Sequence, residues 1–428
     1  MLITTPYWWE AAPREASEPT EIPSKADVVV VGSGYAGLSA ALTLARAGRS
    51  VVVLEAGTPG QGASTRSGGM VGHGHRRAYT ALVGRFGREH AIALVREGIA
   101  SLDFAADLIE REGIDAKFAR FGRFRGAATP GDYETMGREA DALTRDIGLP
   151  VHLIPRSEQA REVVTDVYHG GLLFPTHGGL HPALFQSGLL SVARKAGAQV
   201  IGFTPVTGVM REGDGFTVSH ERGSIQAREV VACTNGYTRA GFPDLARRLV
   251  GTPSFLIATE ELGENRVRSL IPNQRMIVET RTTHLYFRPS PDGKRIILGG
   301  RAALHPIPME LVARRLKGYL AEVLPDLGAV EISHAWTGNV AMTRGDLPGI
   351  GQRDGVHYAV GCNGSGVALM PYLGHMVACK GLGLAEGVTA YDRHEPPAIP
   401  FYDGRPWFLP AMTAWWRYKD WRSGRGRA

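Results

Sequence analysis

Two features of the chain have the residue types and spacing for nucleotide chemistry. The first is the glycine run Gly32-Ser33-Gly34-Tyr35-Ala36-Gly37, and the second is Glu55, 18 residues past its last glycine. The run fits Gly-x-Gly-x-x-Gly. Gly32 permits a tight turn, Gly34 lets backbone approach a pyrophosphate, and Gly37 lets a helix close on a strand. Backbone N–H groups at the helix start favour the phosphate anion. Glu55 can accept hydrogen bonds from ribose hydroxyls, and its charge disfavours the 2′-phosphate of NADP. A second run of small residues follows, Gly62-Ala63-Ser64-Thr65-Arg66-Ser67-Gly68-Gly69-Met70. Its backbone could lie against a flat ring, with Arg66 on a phosphate or pyrimidine oxygen. Composition alone favours a flexible loop with a solvated arginine.

The elements around these residues fit the chemistry. Asp27 to Val31 is a β-branched run ending in glycine, which predicts a buried parallel strand. Leu38 to Ala47 predicts a helix stopped by Gly48, and Ser50 to Glu55 a second strand. Together they form one right-handed βαβ unit. Further helices are expected over 85–112, 131–147, 188–196, 309–324 and 364–380. Phe216 to Ser219 and Ser224 to Ala227 alternate like a hairpin turning at Glu221-Arg222-Gly223. Glu229 to Gly236 and Val356 to Gly361 repeat the strand-into-glycine pattern. Between about 250 and 302, short strand-like pieces suggest a mostly antiparallel sheet.

The expected class is therefore α/β. A discontinuous Rossmann-like nucleotide domain (26–95, 160–245 and 330–390) is interrupted by an α+β, mostly antiparallel substrate domain (96–159 and 246–329). An N-terminal arm (1–25) carries Tyr7-Trp8-Trp9 and packs these aromatics onto the body. A C-terminal aromatic tail covers 391–428.

Composition bounds the function. The 428 residues are 43% hydrophobic and 21% charged, which excludes general disorder. Gly, at 55 residues, is over-represented. The net charge of +6 reads as a solvated basic surface. No dense basic stripe with stacking aromatics points to nucleic acid, and the run Arg417 to Arg422 is short. Cys233, Cys362 and Cys379 are too few and scattered for a disulfide framework or zinc site, so no metal is expected. With no signal-peptide pattern and no long apolar run, a cytoplasmic protein without transmembrane segments is expected.

The motifs in order resemble the D-amino-acid oxidase/glycine oxidase superfamily of FAD enzymes. Gly32 to Gly37 with Glu55 and Gly62 to Gly69 look like its opening signature. Ala232 to Thr238 looks like its mid-chain strand end. Tyr286-Phe287-Arg288 and Leu298 to Arg301 look like its substrate-sheet strands. Trp336-Thr337-Gly338, Asp346 to Gly351 and Gly361 to Val367 look like its closing segments. The likeness spans about residues 26–385. The arm, Tyr286-Phe287-Arg288 and the tail from Phe401 look most like gamma-glutamylputrescine oxidoreductases.

The resemblance implies bound FAD. Its contacts would come from Gly32, Ser33, Gly34, Tyr35, Ala36, Gly37, Glu55, Ala56 and the whole of Gly62, Ala63, Ser64, Thr65, Arg66, Ser67, Gly68, Gly69 and Met70. Later segments would add Val206, Thr234, Asn235, Gly236, Gly338, Gly361, Asn363, Gly364, Ser365, Gly366 and Val367. Relatives with covalent flavin use His or Cys in loops where this chain has Ser64, Thr65 and Val340 to Thr343, so non-covalent FAD is expected. Lysines that relatives use for a substrate carboxylate and for oxygen are replaced by Ala368 and Ile297. An α-carboxylate clamp and rapid reaction with O2 are both in doubt.

The expected activity is oxidation of a small-molecule amine or amino-acid derivative. Hydride passes to flavin N5, the imine hydrolyses, and O2 or another acceptor reoxidises the flavin. Tyr286, Arg288, Arg301, Trp336 and Tyr372 are the substrate candidates. Aromatics would hold the amine, and Arg288 or Arg301 would pair with a carboxylate distant from the reacting carbon. Each is equally readable as core or surface. His177 and His181 read as turn or capping residues. Three rivals stay open: a flavin monooxygenase, an NAD-dependent dehydrogenase and an FAD-binding protein without turnover. Gly345-Asp346 continuing into Leu347-Pro348 disfavours the monooxygenase.

Overall fold

The computed structural model describes residues 1–14, 21–239, 241–281, 284–404 and 406–422. Parts of the expected arm and tail (15–20, 405 and 423–428) lie outside the described residues. The first βαβ unit forms as read. Lys25–Val31 and Val51–Leu54 pair in parallel, and helix Tyr35–Arg46 crosses between them. Their apolar runs are buried on both sides, as parallel strands covered by helices require. The sheet continues in the order Gly349–Arg353, Val356–Val360, Gly223–Ala232, Lys25–Val31, Val51–Leu54, Gln199–Ile201. Only Gly349–Arg353 runs antiparallel along this path. The expected hairpin forms, with Phe216 opposite Ala227.

The second eight-stranded sheet has the order Ile332–Thr343, Leu249–Thr259, Ile296–Gly300, Tyr286–Pro289, Met276–Glu279, Arg123–Gly126, Gly171–Phe174, His152–Ile154. Met276–Glu279 and Arg123–Gly126 run parallel, and every other neighbouring pair is antiparallel. Two strands correct the expected boundaries. Ile332–Thr343 and Gly171–Phe174, assigned from sequence to the nucleotide domain, pair in this second sheet. Long-range pairing decides their membership, and local sequence carries no record of it.

Helix Gly366–Gly381 packs along Tyr35–Arg46. The approach is close enough that a Cβ on Gly374 would lie 2.1 Å from the Ala36 carbonyl oxygen. This contact sets the first turn of Tyr35–Arg46 against the middle of Gly366–Gly381. The expected helix over 85–112 breaks at Gly87 into Tyr79–Phe86 and Arg88–Arg111.

Candidate active site

The glycine run builds its turn as read. A Cβ on Gly37 would sit 1.8 Å from the Gly32 carbonyl oxygen, so no side chain fits there. Ser33 donates from both its N–H (2.8 Å) and its hydroxyl (2.7 Å) to one Glu55 oxygen. The other oxygen accepts from Gly57 N–H at 3.2 Å. At the helix start, Tyr35 N–H donates to Ser64 Oγ at 3.1 Å. The opening signature and the following loop therefore meet at one point.

Loop 65–69 is held by donors from elsewhere in the chain. Trp8 Nε1–H donates to the Ser67 carbonyl (2.8 Å), Trp9 Nε1–H to Thr65 Oγ1 (3.0 Å) and Trp336 Nε1–H to the Arg66 carbonyl (2.9 Å). Arg288 donates to the carbonyls of Gly69 and Leu180, both at 3.0 Å. The closing loop is tied as firmly. Asn235 Oδ1 accepts from Gly361 N–H at 2.9 Å. Asn363 accepts from Thr343 N–H (2.9 Å) and donates to the Gly361 carbonyl (2.8 Å). Ser365 donates to the Gly74 carbonyl at 2.5 Å.

These loops border one cavity of about 710 Å³. Of the expected cofactor residues, Tyr35, Ala63, Ser64, Arg66, Ser67, Gly68, Met70, Asn235, Gly338, Asn363, Gly364, Ser365, Gly366 and Val367 line it. Gly32, Ser33, Gly34, Ala36, Gly37, Glu55, Gly69 and Gly361 do not line it. Thr65 is buried and donates to the Gly60 carbonyl at 2.6 Å. Gly62 starts the short turn 63–65. Thr234 bonds Thr238, and Gly236 packs on Asn339. Ala56 is exposed, and Val206 begins a strand; neither lines the cavity.

The substrate candidates divide. Tyr286 and Arg301 line the cavity, and Tyr286 Oη lies 3.1 Å from Ser254 Oγ. Burial raises the Tyr286 pKa, so the phenol stays protonated. Three candidates are corrected. Trp336 is fully buried against Trp8. Arg288 is spent on backbone carbonyls, with its pKa pulled down to about 10 by burial. Tyr372 points to Glu97, 2.6 Å away, on helix Arg88–Arg111. His181 Nδ1 caps helix Pro182–Lys195, as expected. His177, also expected as a turn residue, closes the turn from Phe174, donating its N–H to the Phe174 carbonyl at 3.3 Å, and its side chain in addition lines the cavity. Ile297 and Ala368 do not, and among the described residues no lysine does.

Sequence reasoning missed His73, Arg76, Arg77, Arg123, Arg125 and Cys362, all of which line the cavity. The available signal was Arg123-x-Arg125, two cations on one face of a strand. The scattered cysteines also concealed a group beyond the cavity. His375, Cys379 and Glu386 bring ligand-type atoms within 4.8 Å of one another. They satisfy each other, with Cys379 Sγ 3.4 Å from Glu386 and 3.6 Å from His375 Nε2.

A glycine cradle, two helix starts and a wide cavity between two sheets define a dinucleotide-dependent flavoenzyme type of site. A family model described as FAD dependent oxidoreductase (DAO) matches residues 27–380, and the chain belongs to that family. It is 30% identical to a probable oxidoreductase OrdL of Rhizobium meliloti, over 96% of this chain and 97% of the relative. It is 31% identical to gamma-glutamylputrescine oxidoreductase of Escherichia coli, over 90% of this chain and 89% of the relative. The fold matches the crystal structure of glycine oxidase from Geobacillus kaustophilus with a TM-score of 0.71 at 22% identity, covering 90% of this chain and 99% of that one. The protein is thus an FAD-dependent oxidoreductase, and its loops fit that cofactor. Tyr35, at the helix start, would meet the pyrophosphate, and Gly364 to Val367 the ring system. No helix among the described residues is long and apolar enough to cross a membrane.

Proposed function

We propose that this enzyme oxidises the C–N bond of a small amine or amino-acid derivative to an imine, which water converts to an aldehyde or keto acid. The supporting observation is the single cavity that joins the cofactor loops to the Tyr286 face of the antiparallel sheet. Relatives named for glycine and gamma-glutamylputrescine oxidation agree with this class. Bound FAD supplies the acceptor for the substrate's hydride.

The chain's own residues position the substrate and exclude water. Leu256, Val278, Phe174 and Met370 give apolar walls. Tyr286 offers a phenol that remains a donor at neutral pH, and Ser254 fixes its direction. Arg301 supplies positive charge beside it. His73, pulled down to about 4 chiefly by burial, stays neutral and adds no cation to repel an amine. No dedicated base is required when the amine binds unprotonated, so the reductive rate rises with pH through the bound amine's pKa.

The test is an anaerobic screen of amines and amino acids against the purified yellow protein. Bleaching by an amine and recovery on aeration support the reading and the use of O2. Recovery only with an added acceptor assigns a dehydrogenase. No bleaching by any amine or amino acid overturns the reading. Non-covalent FAD is part of the proposal. Acid precipitation should leave the flavin in solution; flavin in the pellet would point to Cys362, the one thiol lining the cavity among the described residues.

A further inference from the structure

Across the second sheet, one row of directly paired residues runs Leu256, Gly299, Tyr286, Val278, Arg125. Paired residues share a face, and Arg123, two residues before Arg125, shares it too. Two strand spacings and one two-residue step put the Cα atoms of Tyr286 and Arg123 about 12 Å apart. Both side chains open on the same cavity.

The cavity's other arginines are engaged, Arg66 by the Gln61 and Thr337 carbonyls. Arg125 pairs with Glu139, and Arg281 with Glu279 and Glu322. Arg76 and Arg77 share Asp346 at the mouth. Arg301 also has a partner. Arg123 has no hydrogen bond or ion pair among the described residues, and its Nε is buried without a partner. Burial, then the like charge of Arg125, draws its pKa down to about 10, so it remains a cation. Beside it, both ring nitrogens of His177 and Nε2 of His73 are also buried and unpartnered. The two rings are 4.2 Å apart. A guanidinium with a buried, unpartnered Nε is costly, and it gathers here with idle imidazole nitrogens. A planar oxyanion would accept from the guanidinium and from one ring N–H of each imidazole.

We infer that Arg123, with His73 and His177, forms a carboxylate site at the far end of the cavity, so the substrate is an amine whose carboxylate lies remote from the oxidised C–N bond. This rests on the amine reading above. Arg123 presents its fork to the carboxylate, and the neutral imidazoles offer ring N–H groups.

The experiment compares 6-aminohexanoate with hexylamine as anaerobic titrants of the holoenzyme, and hexanoate as a calorimetric ligand. Arg123→Met should lower the preference for 6-aminohexanoate over hexylamine by about 30-fold. It should also abolish hexanoate binding and raise the melting midpoint, since an uncompensated charge is gone. Arg123→Lys, which keeps the charge and loses the fork, should fall between. An unchanged preference, hexanoate binding that survives Arg123→Met, or a lowered midpoint would each overturn the site. If no amine reduces the flavin while hexanoate binds in an Arg123-dependent way, the carboxylate site stands and the amine reading fails.

Discussion

The two ends of the cavity are built on opposite terms. At the cofactor end nearly every polar group is already engaged: three indole N–H groups hold residues 65–67, Arg288 holds Gly69, and two asparagines tie the closing glycines. At the other end, Arg123, His73 and His177 keep donors and acceptors idle. A resident group is served by a frame made rigid in advance, which reduces the ordering cost of binding. A transient ligand is served by groups whose bonding capacity is unspent until it arrives. Side chains of the same types, Arg and the aromatics, therefore do structural work at one end and wait for a partner at the other.

The largest test strikes the rigid end. Gly37→Ala forces a Cβ against the Gly32 carbonyl, and should cost at least about 3 kcal/mol and empty the protein of FAD. Melting and flavin content check it; a yellow, stable Gly37→Ala protein would break the comparison. Next, Trp336→Ala should cost about 3–5 kcal/mol, mostly packing. Trp336→Phe should cost about 1–2 kcal/mol, because it leaves the buried Arg66 carbonyl without its donor. Denaturant unfolding separates the two, and faster FAD release from Trp336→Phe sharpens the contrast.

A smaller effect comes from pH. Buried His73 has a folded pKa near 4, below the ordinary 6.5, so the unfolded chain binds a proton that the folded one refuses. Stability is full above pH 6.5 and declines as pH falls from there toward 4, by up to about 1.4 kcal/mol per unit for this one histidine. His73→Gln should flatten this slope in melting curves taken from pH 7 to 4.5. An unchanged slope would show that His73 is not held neutral.

Much of the rigid end was legible because it is local: glycines at fixed spacing, an acid at a strand end and a helix start all lie within one stretch of chain. The idle end was not. Arg123 faces the cavity only because its strand pairs with Met276–Glu279 and Gly171–Phe174, distant in sequence. Arg288 shows the converse. It lies on the same strand as Tyr286, two residues on, so alternation gives it the same face. The carbonyls of Gly69 and Leu180 then consume it. Trp336 sits directly opposite the cavity residue Leu256, yet the arm's Trp8 covers it. Periodicity tells which way a side chain points, and distant segments decide what it meets.

The indole clasp on residues 65–67 carries an optical consequence. Trp8, Trp9 and Trp336 hold residues of a loop that lines the cavity, and flavin absorption overlaps tryptophan emission. Their fluorescence should be dim in the loaded protein and brighten as flavin departs, giving a label-free gauge of occupancy read in real time.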